Sequence, residues 1–279
     1  MEPLFEIIYE DAELLAINKL ADLVCHPSKN GPMSSLIGRV RLYLGAESHP
    51  HLANRLDRET SGVTLVAKTD AAARELRRLW ESREVEKEYL AIVHGHVSED
   101  HQIIDAPLGK DETSRVAIKD CVRADGLPSQ TEFFVVRRFQ LSDDYSPSPA
   151  SRRSEAKADG GEGRGEGELN KQIAGNEPSV FSLLRIRLLT GRKHQIRIHL
   201  AHIGHPIVGD KIYGGDEDLY LSLVEGRLDD EQKRTLILPH QALHARVVRF
   251  NWRGQKMEFC CEPERWFREF CKAESAVGA

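Results

Sequence analysis

A long polar segment near the middle of the chain limits how the rest of the sequence can fold. From about Ser142 to Pro178 the chain holds a Ser-Pro repeat and a run rich in Gly and Glu, with almost no apolar side chain to bury. Such a segment cannot join a hydrophobic core, so we predict a disordered insertion at about residues 143–178. The sequence on either side does not resemble a complete core by itself. We therefore expect a single domain over residues 1–279, with a linker between two domains as the alternative.

Apolar runs on both sides of the polar segment predict a sheet. Residues 6–10 and 14–18 flank a short acidic turn and are typical of a β-hairpin. Further strands are predicted at residues 63–67, 89–93, 131–136, 182–188 and 245–250. A helix is expected after residue 67, because Thr69 or Asp70 can cap it and apolar residues follow at helical spacing.

Composition indicates the cellular setting. Hydrophobic residues make up 40% and charged residues 30% of the 279 residues, as in soluble globular proteins. No apolar stretch approaches the length of a membrane span, and the acidic N-terminus lacks the pattern of a signal peptide. The five cysteines include no pair at the two-residue spacing of a zinc or redox motif, which favours reduced thiols. We expect a cytoplasmic protein with no membrane partner.

The net charge of −5 is weak evidence against nucleic acid, because phosphate contacts depend on local patches. Residues 185–214 hold six positive side chains and one negative side chain. The positive ones are Arg185, Arg187, Arg192, Lys193, Arg197 and Lys211. This segment is either a cationic binding surface or an ordinary solvated face, and its charge alone leaves both interpretations open.

The loop at residues 55–62, RLDRETSG, places a carboxylate between two cations. Nearby arginines favour the ionised form of Asp57, and an ionised, positioned carboxylate can act as a nucleophile or a base. An Asx turn or a surface ion pair is the alternative for any single loop aspartate. The spacing by itself does not decide between these interpretations.

A second segment, residues 190–200, combines a glycine, several cations and apolar positions. Apolar residues at helical spacing, followed by Gly204 and Pro206, predict a helix over residues 194–203. The alternation of its isoleucines also permits a strand. In either case Arg197 could offer its planar pair of donors to a carboxylate.

Four histidines in and just after this segment suggest a metal site: His194, His199, His202 and His205. Structural zinc sites usually include cysteines, and none lies nearby in the sequence. We therefore favour capping or polar packing roles and predict no metal.

A third segment, residues 87–91, contains Tyr89 at a strand start, where a tyrosine can stack on a flat ring or simply pack in the core.

Together these segments resemble the RluA family of pseudouridine synthases, in the order the family has them and across most of the chain. The matching segments are residues 10–19, 55–62, 87–95, 190–214 and 243–245. The resemblance implies an α+β fold with a central mixed, largely antiparallel sheet flanked by helices and loops. It also implies an enzyme that isomerises uridine in structured RNA (rRNA or tRNA) to pseudouridine without a cofactor. Independently of the resemblance, we expect a monomer.

The resemblance further implies a role for each motif residue. Asp57 would be the essential catalytic carboxylate, and Arg197 would pair with it. Tyr89 would pack on the target uracil and serve as a base late in the reaction. Arg55 would fill the gap left when the target nucleotide is flipped out of its stack. From charge alone we add three candidate contacts to RNA phosphates: Arg192, Lys193 and Lys211.

Two positions depart from the family pattern. Asn54 stands where the family usually has histidine, and Leu20 follows Lys19 where proline is usual. No basic RNA-binding domain is recognisable before the catalytic part.

Two other functions remain open: an RNA-binding assembly factor that has kept the fold, and a metal-dependent hydrolase built on the histidines.

Overall fold

A computed structural model describes residues 4–26, 31–45, 47–141 and 180–273. The predicted insertion at 143–178 lies outside the described residues, and the single-domain organisation over 1–279 stays a prediction. The two strands that flank the polar segment are hydrogen-bonded neighbours in one sheet.

The described residues form twelve strands and six α-helices. The strands are β1 (Glu6–Glu10), β2 (Leu14–Lys19), β3 (His51–Leu52), β4 (Ser61–Ala67), β5 (Glu86–His94), β6 (His101–Asp105), β7 (Leu108–Lys110), β8 (Asp120–Val122), β9 (Gln130–Gln140), β10 (Val180–Leu188), β11 (Leu243–Trp252) and β12 (Gln255–Cys260). The helices are α1 (Leu36–Leu44), α2 (Asp70–Glu81), α3 (Gln195–His202), α4 (Glu217–Val224), α5 (Asp230–Leu236) and α6 (Arg265–Lys272).

Ten of these strands form one sheet in the order β1-β2-β4-β11-β5-β10-β9-β6, with β12 paired to β11 and β3 paired to β4. Within the described ranges its pairings are antiparallel except between β4 and β11, which run parallel. Strands β7 and β8 form a separate small sheet. The predicted α+β fold with a mixed, largely antiparallel sheet is confirmed. None of the helices in the described ranges has the length and apolar character needed to cross a bilayer.

Most local predictions from the sequence are confirmed. The hairpin β1–β2 lies where the apolar runs predict it, to within one residue. Strands β4, β5, β9, β10 and β11 also lie at their predicted positions, and each is two to five residues longer than predicted. Helix α2 begins as expected, because the Thr69 side chain accepts the Ala72 N–H and Leu76 is fully buried. Residues 195–202 form a helix, so the alternative of a strand there is wrong. Helices α1, α4, α5 and α6 were not predicted.

The parallel contact between β4 and β11 brings two motifs together. Gly62 pairs with Ala245, and an added Cβ on Gly62 would lie 2.2 Å from the Ala245 carbonyl oxygen. Its φ of +115° is also a conformation that side-chain-bearing residues rarely adopt. Next to it, Ser61 Oγ lies 2.9 Å from His244 Nδ1. The glycine therefore lets β11 approach the end of the RLDRETSG loop.

We predict that Gly62→Ala lowers the free energy of unfolding by about 3 kcal/mol or more, because strain and overpacking add at this position. Gly254→Ala is the matched control, since Gly254 also has a positive φ but has no atom within 4 Å of the added Cβ. The control should lose only about 1–2 kcal/mol. Urea unfolding measures both, and equal losses in the two variants would contradict the close approach of β11.

Candidate active site

The RLDRETSG loop is held at its C-terminal half by hydrogen bonds to residues far along the chain. The Thr60 N–H donates to the Asp57 carbonyl over 3.1 Å and closes a tight turn. Gln241 Nε2 donates to Thr60 Oγ1 over 2.6 Å, and both side chains are buried. The backbone that carries Asp57 is therefore fixed by the segment leading into β11.

The underside of the same loop is anchored in the core. Leu56 packs with Cys25 and Ala245, and Cys25 Sγ lies 3.3 Å from the Leu56 carbonyl oxygen. Lys19 is fully buried, and its ammonium donates to the carbonyls of Leu20, Leu23 and Arg58. Burial lowers the pKa of Lys19 to about 8.

Arg197 joins two carboxylates. Its Nη1 donates to Asp57 Oδ2 over 2.9 Å, while its Nε and Nη2 donate to the two oxygens of Asp210 over 2.7 and 2.8 Å. Arg197 and Asp210 are 5% and 2% exposed, whereas the Asp57 side chain is 31% exposed. One guanidinium thus links a buried, fixed carboxylate to a carboxylate that faces the open site.

Asp210 was missed as a functional residue. Besides Arg197, its Oδ1 accepts the N–H groups of Ile212 and Tyr213 over 2.9 and 3.0 Å. Burial raises the pKa of Asp210, but the charge and hydrogen bonds of Arg197 outweigh it, so the pKa lies below the ordinary 3.8. Asp210 therefore stabilises the fold above pH 3.8, and this contribution is lost as the pH falls through the lowered pKa.

Tyr89 lies on β5 opposite Ala245 of β11 and packs against the apolar cluster beneath the loop. Burial and the nearby charge of Asp57 raise the pKa of Tyr89 above its ordinary value of 10. The side chain is therefore a neutral phenol in this structure. A neutral ring beside Asp57 suits packing against a base better than removing a proton from one.

His194 also lies against Asp57. Its Nε2 is 3.8 Å from Asp57 Oδ1, and its Nδ1 is 2.9 Å from the Tyr213 hydroxyl. Burial, followed by the positive charge of Arg197, lowers the pKa of His194 to about 4. The imidazole is therefore neutral near pH 7. The sequence pattern indicated only a capping or packing role for this residue.

Two of the other histidines, His199 and His205, have separate partners. His199 lies 2.8 Å from Thr131 Oγ1 and 2.9 Å from the Ala106 carbonyl oxygen, and His205 lies 2.9 Å from the His94 carbonyl oxygen. Across the described ranges, no three His, Cys, Asp or Glu side chains are grouped so that they could hold a metal ion.

The three predicted phosphate contacts differ in their exposure to solvent. Arg192 and Lys193 are exposed beside the start of α3, and Lys193 also pairs with Asp120 over 2.8 Å. Lys211 is only 4% exposed, and its ammonium donates to Glu59 and to the Pro239 carbonyl. Its role as a phosphate contact stays a prediction, and the structure shows a buried charge that holds the Asp57 loop through Glu59.

Arg55 and Asn54, at the start of the loop, have different environments. Arg55 is exposed beside Asp57. The Asn54 side chain donates to the Val63 carbonyl over 3.1 Å and accepts the Leu65 N–H over 2.8 Å. The asparagine that departs from the family pattern therefore bonds to the backbone of β4, as a neighbouring strand would.

Comparison with known proteins identifies the family to which this chain belongs. The family model described as RNA pseudouridylate synthase matches residues 13–202. An uncharacterized RNA pseudouridine synthase from Aquifex aeolicus is 31% identical over 214 residues, covering 75% of this chain and 55% of the relative. The ribosomal large subunit pseudouridine synthase D of Escherichia coli strain K12 is 30% identical over 247 residues, covering 88% of this chain and 62% of that relative.

A solved structure supports the same family. Human RNA Pseudouridylate Synthase Domain Containing 1 superposes with a TM-score of 0.63 at 26% identity, covering 94% of this chain and 86% of that chain. This chain spans only 55% and 62% of the length of the Aquifex and Escherichia relatives.

We predict that Asp210→Asn destabilises the protein by about 3–5 kcal/mol, because it removes one partner of a buried ion pair. Asp218→Asn is the matched control: this aspartate pairs with Arg115 at the surface, and the loss should be about 0–1 kcal/mol. Urea unfolding at pH 7 measures both. A loss below about 1 kcal/mol in Asp210→Asn would show that Arg197 does not depend on Asp210.

Proposed function

The chain belongs to the RluA family of RNA pseudouridylate synthases, and on that premise we propose that it isomerises uridine in RNA to pseudouridine. The observation that carries this proposal is the group formed by Asp57, Arg197 and Tyr89, since three separate motifs meet at one carboxylate. The reaction breaks the bond between uracil N1 and ribose C1′ and forms a bond from uracil C5 to C1′. The proton on C5 is lost and N1 gains one, so no oxidant, reductant or cofactor is required.

Asp57 is the proposed catalytic residue. Arg197 occupies its Oδ2, which leaves Oδ1 on the side away from the guanidinium. Two routes use an ionised carboxylate here: covalent attack by the aspartate, or removal of a sugar proton to give a glycal. A site closed over the substrate would keep water away from the detached base in either route.

A base in a paired or stacked strand cannot reach Asp57, so the target uridine must be flipped out of the RNA. We assign the exposed Arg55 to the gap that the flipped nucleotide leaves. Tyr89 is the proposed packing surface for the uracil ring, supported by its place beside Asp57 and by the raised pKa of its phenol.

The substrate class is structured RNA, either rRNA or tRNA. The Escherichia coli relative is named for the ribosomal large subunit, which supports rRNA as the first class to test. Arg192 and Lys193 are the proposed phosphate contacts, because both are exposed beside the start of α3. An RNA-binding assembly factor without activity would not need the buried partners of Asp57, so that alternative is less well supported.

We also propose a cytoplasmic, monomeric protein. All five cysteines are free thiols, which supports a reducing compartment. The monomer is the simplest assumption, and light scattering of the purified protein would test it.

Asp57→Asn should lower pseudouridine formation by a factor of about 1000 or more, because the amide can neither attack nor take a proton. Tritium release from ribosomal RNA transcripts labelled at uracil C5 measures the reaction, and filter binding should show an unchanged RNA affinity. Asp100→Asn, at an 84% exposed aspartate, is the matched control and should behave as the wild type. Normal tritium release from Asp57→Asn would rule out the proposed role.

Lys193→Gln and Lys211→Gln should distinguish the effect of an exposed positive charge on RNA binding from the effect of a buried positive charge on stability. Loss of the exposed Lys193 should weaken RNA binding and reduce the slope of log Kd against log salt by about 1. Lys211→Gln should leave that slope unchanged but lower the thermal midpoint, since Glu59 loses its buried partner. Binding titrations at several salt concentrations and thermal unfolding measure the two effects. A larger change of slope in Lys211→Gln than in Lys193→Gln would contradict the assignment.

A further inference from the structure

The two oxygens of Asp57 have different neighbours. Arg197 Nη1 donates to Oδ2 over 2.9 Å, whereas His194 Nε2 faces Oδ1 at 3.8 Å. The His194 side chain is 8% exposed, while that of Asp57 is 31% exposed. The imidazole is therefore buried, and it lies beside the carboxylate oxygen that does not bond to Arg197.

Hydrogen bonds around the imidazole determine which nitrogen carries the proton. The Tyr213 hydroxyl oxygen accepts the Asp120 N–H over 3.2 Å and lies 2.9 Å from His194 Nδ1. The phenol is largely buried, so its own proton needs an acceptor, and Nδ1 is within reach. With Nδ1 as the acceptor, a neutral His194 carries its proton on Nε2, on the side of Asp57.

Burial, helped by two nearby positive charges, keeps His194 neutral near pH 7. Burial is the main cause of its lowered pKa, and the positive charges of Arg197 and Lys193 act in the same direction. The carboxylates of Asp57 and Asp210 oppose them without restoring the ordinary value. His194 therefore offers one N–H donor with no net charge.

The backbone of His194 adopts a left-handed conformation, which is a strained one for a residue other than glycine. The residue precedes α3 with φ 55° and ψ 14°, the left-handed conformation, whereas residues at that position of a helix are usually extended. Such strain persists where the surroundings fix the residue, and it is common at functional sites. The ring meets Tyr213 edge to face, and Tyr213 in turn lies under the Arg197 guanidinium.

We infer that His194 is a positioning residue, whose Nε2–H, set by the Tyr213 hydroxyl, orients Oδ1 of Asp57 toward the target nucleotide. The inference rests on the proposed function of Asp57. It adds a polar chain of Asp120, Tyr213 and His194 to the site. The gap of 3.8 Å closes to a hydrogen bond with a small rotation of the more exposed Asp57 side chain when the substrate fills the site.

The tautomer is tested first, and without any substrate. Long-range ¹H–¹⁵N correlation spectra of the labelled protein report the protonation of each histidine ring, and His194→Gln assigns the signals of His194. We expect the Nε2–H tautomer at pH 7, unchanged down to about pH 5. Tyr213→Phe should lose this preference and show both tautomers. An Nδ1–H tautomer or a doubly protonated ring at pH 7 in the wild type would overturn the inference.

The kinetic test uses three substitutions in the same region. His194→Ala should lower kcat by about 10- to 100-fold, with KM changed by less than about 2-fold, because the carboxylate is misplaced while RNA contacts remain. His194→Gln should recover most of kcat, since its amide N–H can replace Nε2–H. His202→Ala, at the exposed histidine that ends α3, should behave as the wild type.

Failure of the inference can be distinguished from failure of the proposed function. If Asp57→Asn is inactive while His194→Ala keeps the wild-type kcat, the inference is wrong and the proposed function stands. If Asp57→Asn retains full activity, both are wrong. Should His194→Ala unfold by circular dichroism, Tyr213→Phe replaces it: a fall in kcat of about 3- to 10-fold supports the inference, and an unchanged kcat overturns it.

Discussion

The buried guanidinium of Arg197 holds carboxylates from two distant parts of the chain. Asp210 accepts hydrogen bonds from Nε and Nη2 of Arg197, so only Nη1 remains for Asp57. Asp210 thereby fixes the direction of the bond from Nη1 to Asp57. Because Asp210 also accepts two backbone N–H groups, it cannot turn away from Arg197 without losing buried hydrogen bonds. The position of Asp57 in the site therefore depends on a pair of residues that are themselves hidden from solvent.

Three buried side chains also fix the backbone next to Asp57. Lys19 binds the Arg58 carbonyl from below, Lys211 binds Glu59, and Gln241 binds Thr60. Consecutive residues after Asp57 are thus tied to three different parts of the fold. A carboxylate that must meet one sugar carbon benefits from such support, since small displacements at a reacting centre slow reactions strongly.

Much of this could be predicted from the sequence, but not the burial of individual charges. Strands and helix α2 follow from local periodicity and from the Thr69 cap, which act over a few residues. The meeting of Asp57 with Arg197 was implied only by the family resemblance. Asp210 and Lys211 looked like ordinary members of a cationic segment, because sequence gives a charge but not its exposure. Tertiary contacts decide that exposure, since Asp210 bonds to Arg197 and Lys211 bonds to Glu59, and no local pattern encodes them.

The most direct test of the account is a map of pseudouridines, at single-nucleotide resolution, in total RNA from source cells with and without this gene. The account predicts that one or a few uridines lose their modification in the deletion strain and regain it when the gene is restored. Identical maps from the two strains would contradict the claim that this chain isomerises uridine in RNA.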